Sequence, residues 1–161
     1  MLKHGLGLSL LVCGTLAATA ASAASDKAFL EKAMKGDNSE MMLGKMAMEK
    51  GASPGVKDFG RMLNTDHANA KAQALPVAQA HGVAPTDEAA PEAKAEAAKL
   101  NHMSGQAFDR EFATYMVKDH KKDISDFERQ AQSGDRSTAE LARATLPTLR
   151  KHLETAQKLA R

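Results

Sequence analysis

Four stretches of the chain repeat apolar or small residues at alternating three- and four-residue steps. The first holds Phe29, Ala33, Gly36, Leu43 and Ala47; the second Val56, Gly60, Leu63, Ala70 and Ala74. The third holds Ala113, Met116, Ile124, Phe127 and Ala131; the fourth Ala142, Thr145, Leu149, Ala156 and Leu159. That step pattern is the buried stripe of an amphipathic helix. Each stripe is interrupted once by a residue that can bind a proton or a metal: Glu40, His67, His120 and His152 in turn.

Breakers set the helix limits. The pattern predicts helices over 26–50, 54–81, 106–133 and 137–158, with Ser25 or Asp26 capping the first and Pro54 opening the second. Ser137 and Glu140 have the spacing of a capping box. Pro76 should kink or end the second helix and Pro147 should bend the fourth. Between the two pairs, 91–103 favours a short, weakly packed helix whose stripe is mainly alanine. The expected fold is all-α: a four-helix bundle with a short extra helix between helices two and three. The length of that connection allows an up-down-up-down order or a long crossover. Gly36 and Gly44 weaken helix one locally while permitting close helix approach.

Composition narrows the class. Aromatic residues are 4% of the chain, with no Trp and one Tyr, which disfavours strands. The N-terminus reads as an export leader: a basic start at Lys3 and His4, an apolar run over 6–18, and the small-x-small site Ala21-Ser22-Ala23. The expected domains are a leader over 1–23 and one helical domain over 24–161, exported to the periplasm or beyond. A lipoprotein reading through Cys13 is disfavoured, because Val12 stands where a small residue is needed. Cys13 is the single cysteine, so the processed chain has no disulfide and no thiolate. The formal charge of +2 falls to +1 when Lys3 leaves, which argues against nucleic-acid binding. The apolar run is too short for a membrane span, and the sequence specifies no protein partner.

The four interrupting residues also share a height condition. The midpoint of Glu40 and His67 falls at 53–54, inside Gly51-Ala52-Ser53-Pro54-Gly55, and that of His120 and His152 falls at 136, inside Ser133-Gly134-Asp135-Arg136-Ser137. Within each antiparallel hairpin the two should therefore lie level. A lone buried carboxylate is costly, and three imidazoles and a carboxylate can satisfy one another through one divalent cation. Zn²⁺ suits this N3O set best, with Cu²⁺, Ni²⁺ and Fe²⁺ also compatible. Asp37 and Asp123, one turn from Glu40 and His120, are candidates to hold the ligands in place. Asp66 and Asp119, adjacent to histidines, should point a quarter-turn away. His81 and His102 are expected to be exposed.

The chain resembles the ferritin-like periplasmic family known as domain of unknown function 4142. The resemblance is carried by Glu40 with Leu43-Gly44 and Ala47, and by Val56-Lys57-Asp58-Phe59 leading to Asp66-His67. Phe108-Asp109, Tyr115-Met116-Val117-Lys118-Asp119-His120, Phe127, and Leu146-Pro147 leading to His152-Leu153 complete it. It implies a secreted or periplasmic four-helix bundle and assigns no activity. Di-iron ferritin-like sites pair a Glu-x-x-His motif on two helices. Here Asn64 and Leu149 stand three before His67 and His152, and His120 replaces a bridging Glu, so ferroxidase chemistry is not expected.

Three functions fit. The first is a binding module for one transition-metal ion. The second is an envelope structural or interaction protein whose Glu–His cluster is purely internal. The third is a metal hydrolase or oxidase, which needs an open coordination position; no catalytic residues are assigned. The methionines Met34, Met41, Met42, Met46, Met48 and Met62 could hold Cu(I), but filling a core poor in aromatics explains them as well.

Overall fold

The computed structural model describes the backbone of residues 13–161 and the side-chain environment from residue 23 onward. Those residues form five helices and no strand: α1 (Cys13–Lys50), α2 (Pro54–Ala80), α3 (Pro91–Asn101), α4 (Gly105–Ser133) and α5 (Arg136–Leu159). No described helix is long and apolar enough to cross a membrane. The basic start and most of the apolar run of the expected leader lie outside the described residues.

α1 starts well before the expected position near Asp26. No Gly or Pro falls between Thr15 and Lys35, and the alanine-rich run through 17–24 propagates the helix. Asp26 is instead buried and serves the other hairpin, accepting from Gln130 Nε2 at 2.5 Å and Thr138 Oγ1 at 3.1 Å. Ser53 caps α2, its hydroxyl accepting from Val56 N at 3.3 Å. α5 is capped by Asp135, which accepts from Thr138 N at 2.8 Å. The expected Ser137–Glu140 box does not form, because Asp135 reaches the free amides first and Glu140 pairs with Arg136. α2 continues through Pro76 and α5 through Pro147.

Helix directions follow from end-to-end contacts. Gly82 sits by Lys27, so α2 ends where the packed part of α1 begins. Asn38 Nδ2 donates to the carbonyls of Thr86 and Glu88, and Lys50 Nζ donates to the carbonyl of Leu100 at 3.2 Å. The connection therefore climbs back along α1, and α4 starts at its far end, where Asp109 accepts from the amides of Ala52 and Ser53 at 2.8 Å each. α1 and α5 point one way, α2 and α4 the other. The long crossover is the order adopted. α3 is anchored by a fully buried Leu100 more than by its alanines.

Two apolar clusters fill the interior. One, near the 51–53 turn, centres on Leu43, Phe59, Leu63, Leu100, Phe108 and Phe112. The other, at the opposite end, centres on Phe29, Leu30, Met34, Ala78 and Leu146. Full burial of each large side chain contributes roughly 1.5–3 kcal/mol. Met34 belongs to the second cluster while Met42, Met46 and Met62 pack on the first, so the methionines fill both. Between the clusters lies a polar belt containing all four interrupting residues, each no more than 4% exposed.

α1 and α2 touch backbone to backbone inside the first cluster. A Cβ on Gly44 would lie 2.6 Å from the Gly60 carbonyl oxygen, and one on Gly60 would lie 2.6 Å from that of Gly44. Only glycine at both positions allows this spacing.

Candidate metal centre

The register of the first hairpin decides which residues meet. α1 ends at Lys50 and Pro54 already belongs to α2, so the turn is Gly51-Ala52-Ser53. Three contacts agree with a centre at residue 52: Gly44 against Gly60, Asn64 Nδ2 donating to the Met41 carbonyl at 3.0 Å, and His67 against Asp37. Asp37 rather than Glu40 is therefore level with His67. The sequence expectation put the centre near 53.5 because Pro54 and Gly55 read as turn.

The second hairpin keeps the expected centre. His120 from α4 and His152 from α5 face each other with Nε2 and Nδ1 3.3 Å apart. Ring centroids of His67 lie 6.1 Å from His120 and 5.3 Å from His152. One donor atom from each of the three histidines lies within 4.8 Å of the others, and no other group of three or more potential ligands converges so closely among the described residues. Glu40 lies outside this group.

The remaining ring nitrogens are all engaged, and that fixes the lone pairs. His120 Nδ1–H donates to the Met116 carbonyl at 3.0 Å, which can only accept. His152 Nε2–H donates to Asp66 Oδ2 at 2.9 Å. His67 Nδ1–H donates to Asp37 Oδ1 at 2.9 Å. What is left bare is Nε2 of His67, Nε2 of His120 and Nδ1 of His152. His67 Nε2 is buried without any partner. Imidazoles whose outer N–H is tied to a carboxylate or carbonyl are oriented as metal ligands usually are.

Asp66 holds His152 in place, a role the sequence pattern did not reveal. Its backbone points a quarter-turn from His67, as expected, yet that direction carries its side chain across to α5 and His152. Asp123 contacts none of the three rings through a hydrogen bond; Met116 supplies the outer partner of His120. His81 is half-buried rather than exposed, bridging to Ser137 Oγ at 3.0 Å and Asp135 Oδ2 at 3.2 Å, while His102 is exposed.

Electrostatics divide the belt. Burial, reinforced by the neighbouring imidazoles, pushes His120 down to about 3, and burial also lowers His152. Both rings thus stay neutral at ordinary pH with lone pairs available. On the other side, Glu40 is held well above the usual carboxylate range by burial and then by Asp119. Asp123 is pushed up to about 7 by burial and Asp119, and burial raises Asp37 against the opposing pull of His67. Neither Glu40 oxygen has a hydrogen-bond partner.

Comparison with known proteins matches these observations to a family. A family profile described as "Domain of unknown function (DUF4142)" matches residues 12–159, and the chain belongs to that family. No curated protein matches. Among solved structures, the chain is similar to one titled "Crystal structure of DUF305 fragment from Deinococcus radiodurans", with a TM-score of 0.74 and 16% identity. The likeness covers 84% of this chain and 95% of that one, and at this identity it concerns the fold alone.

Proposed function

We propose that this family member is an exported, ferritin-like four-helix bundle, with α3 as a short extra helix in its crossover, that binds one divalent transition-metal ion through His67, His120 and His152. The export leader supports the address. The ring of long helices and the up-down-down-up order support the bundle.

One observation carries the metal reading: two imidazole nitrogens with no proton to share face each other at 3.3 Å. Two bare lone pairs at that distance repel. A proton between them would make an imidazolium where burial disfavours one. A cation removes the conflict. Two nitrogens on one tetrahedral Zn²⁺, with bonds of about 2.0–2.1 Å, stand about 3.3–3.4 Å apart. The third bare nitrogen, His67 Nε2, is orphaned unless it shares the same ion. Zn²⁺ is the favoured ion, as a borderline cation suited to imidazole.

The test is metal content after purification from the periplasm without an affinity tag. One transition-metal ion per chain is expected, lost in His120→Ala. Zinc at about 100 times its Kd should stabilise the protein by about 2.7 kcal/mol. A chain that carries no metal and shows no thermal shift with Zn²⁺, Cu²⁺, Ni²⁺ or Fe²⁺ overturns the reading.

A second reading is supported by the missing fourth protein ligand. A groove of about 210 Å³ between α2 and α5 reaches Asp66 and His67. Three nitrogens plus a water is the donor set of hydrolytic zinc centres. On this reading the zinc-loaded protein cleaves an activated ester, and His120→Ala does not; equal rates for the two remove it.

A further inference from the structure

Glu40 is the least satisfied polar group in the described structure. It is 1% exposed, neither oxygen meets an amide or cationic donor, and its polar neighbour is the Asp119 carboxyl, which carries the same sign when ionised. A buried carboxyl in that condition is destabilising. The register shift described above separates it from the three imidazoles, so the histidine centre does not account for it.

Its surroundings are other carboxyls. α1 packs against α4 here, with Lys32 beside Asp126 and Gly36 beside Asp123. Asp119 and Asp123 are one turn apart on α4, so both project toward α1. Gly36 is one turn before Glu40. Its missing side chain leaves room for Asp123, whose Oδ2 would stand 4.0 Å from a Cβ built there. A cavity of about 360 Å³ opens between α1, the start of α3 and α4, lined by Gly36, Ser39, Tyr115, Asp119 and Asp123 among others. Gly36 and Ser39 are the residues flanking Glu40 on this face of α1.

The nearby cations do not neutralise the group. Lys32, Lys35 and Lys122 line the same cavity; Lys32 pairs with Asp126 and Lys35 with Glu88, and the pull of Lys32 and Lys122 on Asp123 is smaller than the opposing effect of its burial. No described lysine or arginine makes an ion pair with Glu40, Asp119 or Asp123, whereas Asp126, one turn on from Asp123, has one. The three carboxyls also do not converge as tightly as the imidazoles do.

We propose that Glu40, Asp119 and Asp123 form a second cation site, distinct from the histidines, that takes a hard divalent ion of the Mn²⁺, Mg²⁺ or Ca²⁺ class. All its donors are carboxylate oxygens, the donor type that such ions prefer and that imidazole-seeking ions do not require. The cavity gives the ion a route from solvent and space for the waters such ions retain. The belt then carries two sites of different chemical hardness side by side. Asp37 stands at the boundary, committed to His67.

The probe is Mn²⁺, counted by the loss of the free-ion spin-resonance signal on titration of the full purified chain with zinc already bound. One Mn²⁺ per chain is expected, at millimolar affinity or better. Glu40→Gln should weaken Mn²⁺ binding at least tenfold and leave zinc stoichiometry unchanged; Asp119→Asn, at a half-buried position, should do the same. His120→Ala should do the reverse, losing zinc and keeping Mn²⁺. Failure of wild-type protein to take up Mn²⁺ at ~1 mM overturns the proposal, as does unchanged Mn²⁺ binding in Glu40→Gln. Loss of zinc in Glu40→Gln also overturns it, by returning Glu40 to the histidine set. The zinc measurements stand or fall separately, so either site can fail without the other.

Discussion

The two sides of the polar belt solve the same burial problem differently. On the histidine side each ring has one nitrogen tied to a named acceptor: Asp37, the Met116 carbonyl or Asp66. The second nitrogen is kept bare and aimed inward. On the carboxylate side no amide or cationic group reaches Glu40, and its polar neighbour is another carboxyl, Asp119. The first side is preorganised. The second is destabilised as it stands and gains most from losing or neutralising charge. Polarity at the core is thus costly on one side and nearly resolved on the other, although the two are about one helical turn apart.

The largest expected effect breaks this contrast directly. Glu40→Leu removes an unsatisfied buried carboxyl and keeps the volume, so the metal-free protein should gain about 1–3 kcal/mol. A urea midpoint measured in chelator reads this, and a lower midpoint than wild type would show that Glu40 is satisfied after all. Asp66→Ala acts on the resolved side. Freed from its acceptor, the His152 ring loses its orientation, and zinc affinity should fall about 10–100-fold with Mn²⁺ binding unaffected. Isothermal titration with both ions distinguishes this from general unfolding.

The smallest effect is a difference in pH slope. His120 and His152 have folded pKa values below the unfolded one, so the unfolded chain binds more protons and stability is lost as pH falls from about 6.5 toward 3. Glu40 and Asp123 are raised, so their protons stabilise the folded state at low pH. Asp123 loses that contribution as pH rises from about 4 to about 7. In chelator, Asp123→Asn should therefore gain stability relative to wild type across pH 4 to 7. A flat difference between the two midpoints over that range would contradict the assignment.

Much of this architecture was legible from step patterns alone. The stripes predicted the buried faces of four helices, because burial imposes period 3.6 on any helix that packs. The centre of the second hairpin was legible because Ser133-Gly134-Asp135 ends one helix abruptly. The first hairpin was not, because Pro54 and Gly55 are turn formers in composition yet Pro is equally at home in a first helical turn. That ambiguity amounts to three residues of register, enough to exchange Asp37 for Glu40 beside His67. Asp66 was missed for a related reason. Helical phase says which way a residue leaves its own helix, but not that the neighbouring helix will be waiting there. Helix one was extended by alanines that a leader and a helix use alike.

Each hairpin packs more extensively within itself than against the other, and one covalent strand over 81–104 joins them. His67 belongs to the first hairpin, His120 and His152 to the second. An ion shared by all three would act as a rivet across the weaker seam, and Asp66 reaching to His152 already spans it. Cutting the chain within the connecting strand should then give two pieces whose reassembly depends on zinc, so that metal occupancy would report whether the halves of the molecule have come together.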